Sequence, residues 1–330
     1  MALRDSYGRS ISDLRVSLTD RCNFRCFYCL PNGEPAHACR EDVLTFEEIE
    51  YLAAIFVSLG ITKLRLTGGE PLIRKDVPLL VRKLSGLKPQ LEDIALTTNG
   101  FDLERHAAAL REAGLDRLTV SLDSLDRQRF REITGVDALD RVLNSITTAQ
   151  DVGFSPIKVN AVIVRGRNDD EIATLASFAR EQGVTVRFIE YMPLDSGHGW
   201  SKDLVVSGRE IRNAIEEAFP LDLIDETRGS STSWRLRFAD GSRGEIGIIA
   251  PVTEMFCGQC SRIRLTADGQ LRTCLFSTVE HDLRSLLRSG AHSSEIVQFI
   301  EEAVEKKEPR HYINDPDFVQ PARTMSLIGG

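Results

Sequence analysis

The chain has 330 residues, 42% of them hydrophobic, and a net charge of −8. That is enough to bury a large core in one domain or two unequal ones, and the charge has the wrong sign for a broad nucleic-acid surface. No apolar run reaches membrane-spanning length and the start, "MALRDSYGRSISDLR", is polar, so a cytoplasmic protein with neither nucleic acid nor membrane as partner is expected.

In chain order, strands are predicted at 14–19, 61–67, 93–98, 117–122, 156–164 and 184–191. Amphipathic helical stretches lie between them, among them 45–59, 102–113, 139–152 and 169–182. Thr45 with Glu48 three residues on forms a capping box for the first of these. Six βα units in a row imply a parallel sheet, either open and doubly wound or curled into a barrel. Polar or glycine-rich motifs sit at the C-terminal end of every strand, which favours a barrel mouth. The expected fold is α/β: an incomplete (β/α)6 TIM-like barrel over residues 1–220, closed on its open side by a C-terminal α+β region over 221–330. In that region "SWRLRFADGSRGEIGIIAP" and "SRIRLTADGQLRTCLF" read as hairpins turning at Asp-Gly, followed by helices at 280–289 and 293–307 and a non-periodic tail ending Ile328-Gly329-Gly330.

Seven cysteines, an odd number, read as ligands or catalysts rather than as a disulfide framework. Six fall into two trios. Cys22, Cys26 and Cys29 follow the first strand as C-x3-C-x2-C, a spacing that serves zinc or a 4Fe–4S cluster with a fourth ligand elsewhere, or a cluster with one open iron. After the second strand comes Gly68-Gly69-Glu70-Pro71, whose glycines would let backbone approach a ligand and whose Glu70 offers a carboxylate to an amine. Cys257, Cys260 and Cys274 form C-x2-C-x13-C; structural zinc with Cys39, His281 or an acidic residue as fourth ligand is one reading. The other starts from Arg262 and Arg264, which strand alternation puts on one face beside the thiols as an anion-binding floor. Cys39 is expected to be a free thiol, and His281 a residue at a helix start.

The first trio with "GGEP" resembles the radical S-adenosylmethionine superfamily. "SLTDRCNFRCFYCLP", "RLTGGEPLIRKD", "TTNG", "SLDSLD", "VRFIEYMPL", "PVTEMFCGQCSRIRLTADGQLRTCLF" and the closing "RTMSLIGG" together resemble, over residues 8–330, the GTP 3′,8-cyclase family that opens molybdenum cofactor biosynthesis. The resemblance implies two 4Fe–4S clusters, one held by Cys22, Cys26 and Cys29 and binding S-adenosylmethionine, the other held by Cys257, Cys260 and Cys274 with an iron open to the purine of GTP. It implies that Tyr28, Gly69, Ser121 and Met192 line the S-adenosylmethionine site. Arg15, Arg65, Thr97, Lys158, Arg187, Arg262 and Arg264 would contact GTP, and the Gly329-Gly330 end would reach the active site, where it and Arg15 assist catalysis. The implied reaction converts GTP to 3′,8-cyclo-7,8-dihydro-GTP through a 5′-deoxyadenosyl radical that takes hydrogen from C3′. Implied partners are a flavodoxin- or ferredoxin-like reductant, cyclic pyranopterin monophosphate synthase as the next enzyme, and a second copy in a homodimer. Two other readings of the residues are a different radical S-adenosylmethionine enzyme with an auxiliary cluster, such as a peptide-modifying one, and a zinc-stapled binding protein.

Overall fold

Six strands and the helices between them follow the predicted order. They are β1 (Asp13–Ser17), β2 (Lys63–Thr67), β3 (Asp93–Thr98), β4 (Arg117–Ser121), β5 (Lys158–Ile163) and β6 (Thr185–Glu190), each parallel to the next. The structure is a computed structural model and describes residues 3–30, 38–195, 197–225 and 233–329, so Gly330 lies outside the described residues. The intervening helices are α1 (Phe46–Ser58), α2 (Val77–Ser85), α3 (Leu103–Glu112), α4 (Arg127–Thr134), α5 (Leu139–Asp151) and α6 (Ile172–Gln182). The capping box of α1 forms as expected: the Glu48 amide donates to Thr45 Oγ1 at 3.1 Å, and the Thr45 amide to Glu48 Oε2 at 2.7 Å.

The remaining elements are α7 (Gly208–Ala218), β7 (Leu221–Asp225), β8 (Trp234–Phe238), β9 (Glu245–Ile249), β10 (Arg262–Leu265), β11 (Gln270–Arg272), β12 (His281–Asp282), α8 (Leu283–Arg288), α9 (Ser293–Glu305) and a single turn, α10 (Met325–Ile328). They join the same sheet, whose order is β12-β11-β10-β1-β2-β3-β4-β5-β6-β9-β8-β7. The two hairpins exist where predicted, but each lends one strand to the barrel: β10 pairs parallel with β1, and β9 parallel with β6. The barrel wall therefore has eight parallel strands, six from the βα units and one from each hairpin at opposite edges.

Every strand of this wall alternates. Leu14, Val16, Leu64, Leu66, Leu96, Val120, Val159 and Phe188 are essentially fully buried against the surrounding helices. The alternate positions, which period two turns to the opposite face, carry Arg15, Arg65, Thr97, Thr119, Asn160 and Arg187. A parallel sheet covered on both faces is ordinarily apolar throughout. Here the inner face is polar and basic, so the barrel encloses a chamber for a charged ligand rather than a second apolar core.

Candidate functional site

At the C-terminal mouth, the loop after β1 carries the first trio. Its backbone is tied to α4, with the Arg25 amide donating to the Thr134 carbonyl at 2.8 Å and that of Phe27 to the Ile133 carbonyl at 3.0 Å. Phe24 anchors it from below, edge-on to Phe101 and Phe130 at 6.0 Å each. The loop after β2 zips onto the same segment: the Gly69 amide donates to the Thr19 carbonyl and the Glu70 amide to the Arg21 carbonyl, both at 2.8 Å.

That contact explains the two glycines. A Cβ on Gly69 would overlap the Arg21 carbonyl and stand 3.1 Å from that of Asp20, and one on Gly68, whose φ is +143°, would run into Thr19. The space gained by omitting the side chains is thus filled by the cysteine loop. Glu70 also differs from the expectation that it waits for an amine. It is 1% exposed, and its carboxylate accepts from Thr98 Oγ1 at 2.7 Å, the Asn99 amide at 2.6 Å and the Leu72 amide at 3.0 Å. It ties its own loop to the end of β3, and burial pushes its carboxyl up to about 7.

Cys22, Cys26 and Cys29 face a cavity of about 140 Å³ lined also by Gly68, Gly69, Thr97, Asn99, Ser121 and Asp123. Burial pushes all three thiols up, Cys22 to about 11 and Cys29 to about 12. Bound to iron such thiols are thiolates, and three soft sulfur donors on one cavity are the donor set of a cluster. The second trio sits in a 3-10 turn at Cys257–Gln259 and after β11. It borders a larger cavity of about 240 Å³ whose wall includes Arg15, Thr97, Ser121, Asn160, Arg187, Met192, Arg262 and Arg264. Among the described residues no three His, Cys, Asp or Glu side chains converge as a single metal ion would require.

Tyr28, Thr97, Ser121, Asp123 and Met325 belong to both cavities, so the two trios occupy opposite ends of one chamber. At the shared wall the Tyr28 hydroxyl donates to Asp123 Oδ2 at 2.6 Å, while Asp123 Oδ1 accepts from the Val162 amide at 2.8 Å. Burial raises Asp123 to about 6. Asp123 was visible in the sequence only as part of "SLD" and had no role there; Met325 and Ser326, which also reach the first cavity, gave no signal beyond the tail motif.

The cations crowd one another. Burial, then Arg264 and Arg262, hold Arg15 well below the ordinary arginine range; burial, then Arg65 and Arg117, bring Arg187 to about 9, and burial, then Arg262, brings Arg264 to about 9. The Nε atoms of Arg15, Arg187 and Arg262 are buried with no hydrogen-bond partner. Buried cations this close together, with Nε donors left without partners, cost free energy that a polyanion would return. Arg65 and Lys158 are not among the residues lining the cavity. Arg65 donates to Thr97 and Thr119 Oγ1 at 3.2 Å each, and Arg187 reaches the same Thr119 at 3.4 Å, which makes a basic floor beneath it. Lys158, at the start of β5, is lowered to about 7 by burial and then by Arg187.

The tail enters this mouth. Ile328 is fully buried, and the Gly329 carbonyl accepts from Arg264 Nη1. With φ at +85° and a Cβ position that would overlap Ser17 Oγ and lie 2.7 Å from Thr67 Oγ1, Gly329 fits between the ends of β1 and β2 as no other residue would. Cys39 is an exposed free thiol, and His281 precedes α8 with its ring edge-on to Phe299. Among the described residues no helix is long and apolar enough to cross a membrane.

Residues 16–179 match the Radical SAM superfamily and residues 184–313 match Molybdenum Cofactor Synthesis C. The chain is 46% identical to a GTP 3′,8-cyclase of Rhodopirellula baltica, over 100% of this chain and 92% of that protein. It is also 46% identical to one of Streptomyces coelicolor, over 99% and 96%, and 48% identical to one of Acidothermus cellulolyticus, over 92% and 84%. Among solved structures, Streptococcus suis SuiB bound to S-adenosylmethionine shares the fold, with a TM-score of 0.63 and 14% identity over 95% of this chain and 76% of that one.

Proposed function

The chain belongs to the GTP 3′,8-cyclase family of the radical S-adenosylmethionine superfamily, and on that premise we propose how its residues divide the work. It is a GTP 3′,8-cyclase of molybdenum cofactor biosynthesis, and a 4Fe–4S cluster with S-adenosylmethionine comes with the superfamily. Cys22, Cys26 and Cys29 would hold that cluster, and Cys257, Cys260 and Cys274 a second one. When bound, the first cluster and S-adenosylmethionine supply, by one-electron reductive cleavage, the 5′-deoxyadenosyl radical that takes hydrogen from C3′ of GTP. A one-electron reductant of flavodoxin or ferredoxin type and cyclic pyranopterin monophosphate synthase are the proposed partners, with a homodimer as the proposed assembly.

The observation that carries this reading is the single chamber with a thiol trio at each end and, between them, crowded guanidiniums whose Nε donors lack partners. Arg15, Arg187 and Arg262 bind the triphosphate through their free donors, with Arg65 and Lys158 beneath them. Thr97 belongs to both cavities and is held by Arg65, so it orients the nucleotide at the point where the two halves meet. Tyr28, Gly69, Ser121 and Met192 form the S-adenosylmethionine side. Gly69 acts by holding the two loops in contact rather than by clearing space for the ligand. Arg264, fixed by the Gly329 carbonyl, couples the tail to the substrate pocket, and Ile328 with Gly329 shuts water out of the mouth.

The test is anaerobic. Reconstituted protein receives dithionite, S-adenosylmethionine and either GTP or ATP, and 5′-deoxyadenosine and cyclised nucleotide are followed by mass spectrometry. The reading expects both products with GTP alone, and neither cyclisation nor GTP retention after Arg187→Met. Undiminished cyclisation in Arg187→Met would remove the arginine cluster from the account.

A further inference from the structure

The segment after α9, Lys307 to His311, wraps the second trio and has no part in the reading above. Lys307 is 3% exposed. Its Nζ donates to the Arg262 carbonyl at 3.0 Å and to the Thr273 carbonyl, which places it between the strand that follows Cys260 and the residue that precedes Cys274. Glu308 lies beside it. Its carboxylate accepts from Thr273 Oγ1 at 2.8 Å, and its carbonyl is fastened to the N-terminal arm by Arg9 Nη2 at 2.5 Å. Arg9 also donates to the carbonyls of Cys257 and Pro309, at 2.9 and 3.0 Å, so both sides of the trio are braced from one point.

We propose that Lys307 is a positioning residue that sets the charge balance of the second iron–sulfur centre, with Glu308 as its counterweight, and so sets that centre's reduction potential. The proposal rests on the second trio holding a 4Fe–4S cluster. Lys307 does not serve the substrate directly, because it bonds two backbone carbonyls behind the thiols and does not line the chamber. A buried cation has few ways to lower its energy other than a nearby negative charge, and three thiolates around a cluster are such a charge. The cation and the anion flank the same thiols: Lys307 Nζ bonds the carbonyl two residues after Cys260 and the one just before Cys274, and Glu308 bonds the Thr273 hydroxyl beside that same Cys274. Hydrogen bonding and local charge are the levers by which a protein tunes such a centre.

The two neighbours predict shifts of opposite sign. A cluster gains negative charge on reduction, so Lys307→Met, which keeps length but removes the cation, disfavours the reduced form. Glu308→Gln removes an anion and favours it. The holoenzyme is reconstituted anaerobically, its iron counted, and both clusters titrated with dithionite while the reduced signals are followed by electron paramagnetic resonance. The expected result for Lys307→Met is about a tenfold fall in the equilibrium constant for reduction of the second cluster, a downward shift of about 59 mV for one electron. Glu308→Gln shifts it upward, Lys307→Arg leaves it close to the original value, and the first cluster does not move in any variant.

Unchanged potentials in a fully loaded Lys307→Met protein, or shifts of the same sign in both variants, would overturn the proposal and leave Lys307 a structural brace. If Lys307→Met fails to retain the second cluster, Glu308→Gln decides: an upward shift supports the charge balance and none refutes it. An unaltered protein holding about four irons rather than about eight would instead refute the second cluster itself, a failure visible before any variant is made.

Discussion

Gly69→Ala tests how the mouth is assembled, because the cost can be worked from the contact it breaks. The new methyl would overlap the Arg21 carbonyl, which is backbone and cannot rotate away. The loops must part, losing the hydrogen bonds from the Gly69 and Glu70 amides to Thr19 and Arg21. Two such bonds are worth about 1 kcal/mol each net, and overpacking adds at least about 1 kcal/mol more, so the docked arrangement weakens by about 3 kcal/mol. At 1.4 kcal/mol per decade this is roughly a hundredfold shift toward the undocked loop. The assay is iron content and S-adenosylmethionine binding after anaerobic reconstitution, beside Gly199→Ala, whose Cβ would meet only Asp195 Oδ2 at 3.7 Å. Gly69→Ala should lose iron from the first centre while the second stays loaded. A Gly69→Ala protein that keeps both clusters and binds S-adenosylmethionine normally would refute the argument that the glycine serves loop contact.

Three further outcomes follow from the buried charges and the tail. Folding raises Glu70 from 4.5 to about 7 and Asp123 from 3.8 to about 6, so the folded chain binds more protons than the unfolded one between these values. Their contribution is fully present below about pH 4 and is lost as pH rises toward 7; for Glu70 it amounts to about 3 kcal/mol, and urea titrations of metal-free Glu70→Gln should show that part of the slope removed. Lys158, lowered to about 7, should take up a proton when a triphosphate arrives; calorimetry of GTP binding near pH 8 in two buffers of different ionisation enthalpy should reveal it, and Lys158→Met should abolish it. Gly329→Ala forces a left-handed conformation costing about 1–2 kcal/mol and a clash with Ser17 and Thr67, so carboxypeptidase should trim that tail faster and cyclisation should fall at least tenfold.

The strand-helix alternation was legible because each unit carries its own periodicity, and the two trios because their spacing is local. The barrel's edges were less so. Nothing in "EIGII" or "RIRL" tells which hairpin strand will lie parallel to β1 and which to β6; that depends on where the C-terminal region docks. Arg262 and Arg264 do face the chamber together, as alternation required. The packing of Gly69 and Glu70 was not legible for one shared reason: both contact segments distant in the chain, the cysteine loop for Gly69 and the end of β3 for Glu70, which no local pattern encodes. Lys307 and Arg9 were silent for the same cause, since apart from the local Arg9–Asp5 pair they bond distant backbone carbonyls that any sequence would supply.

The central claim is that both trios open on one shielded chamber where substrate and adenosyl group meet directly. GTP carrying deuterium at C3′ tests it in a single turnover in ordinary water. The account predicts that 5′-deoxyadenosine carries the deuterium and the cyclised nucleotide has lost it, in equal amount. Unlabelled 5′-deoxyadenosine formed alongside a nucleotide that keeps its deuterium would contradict it.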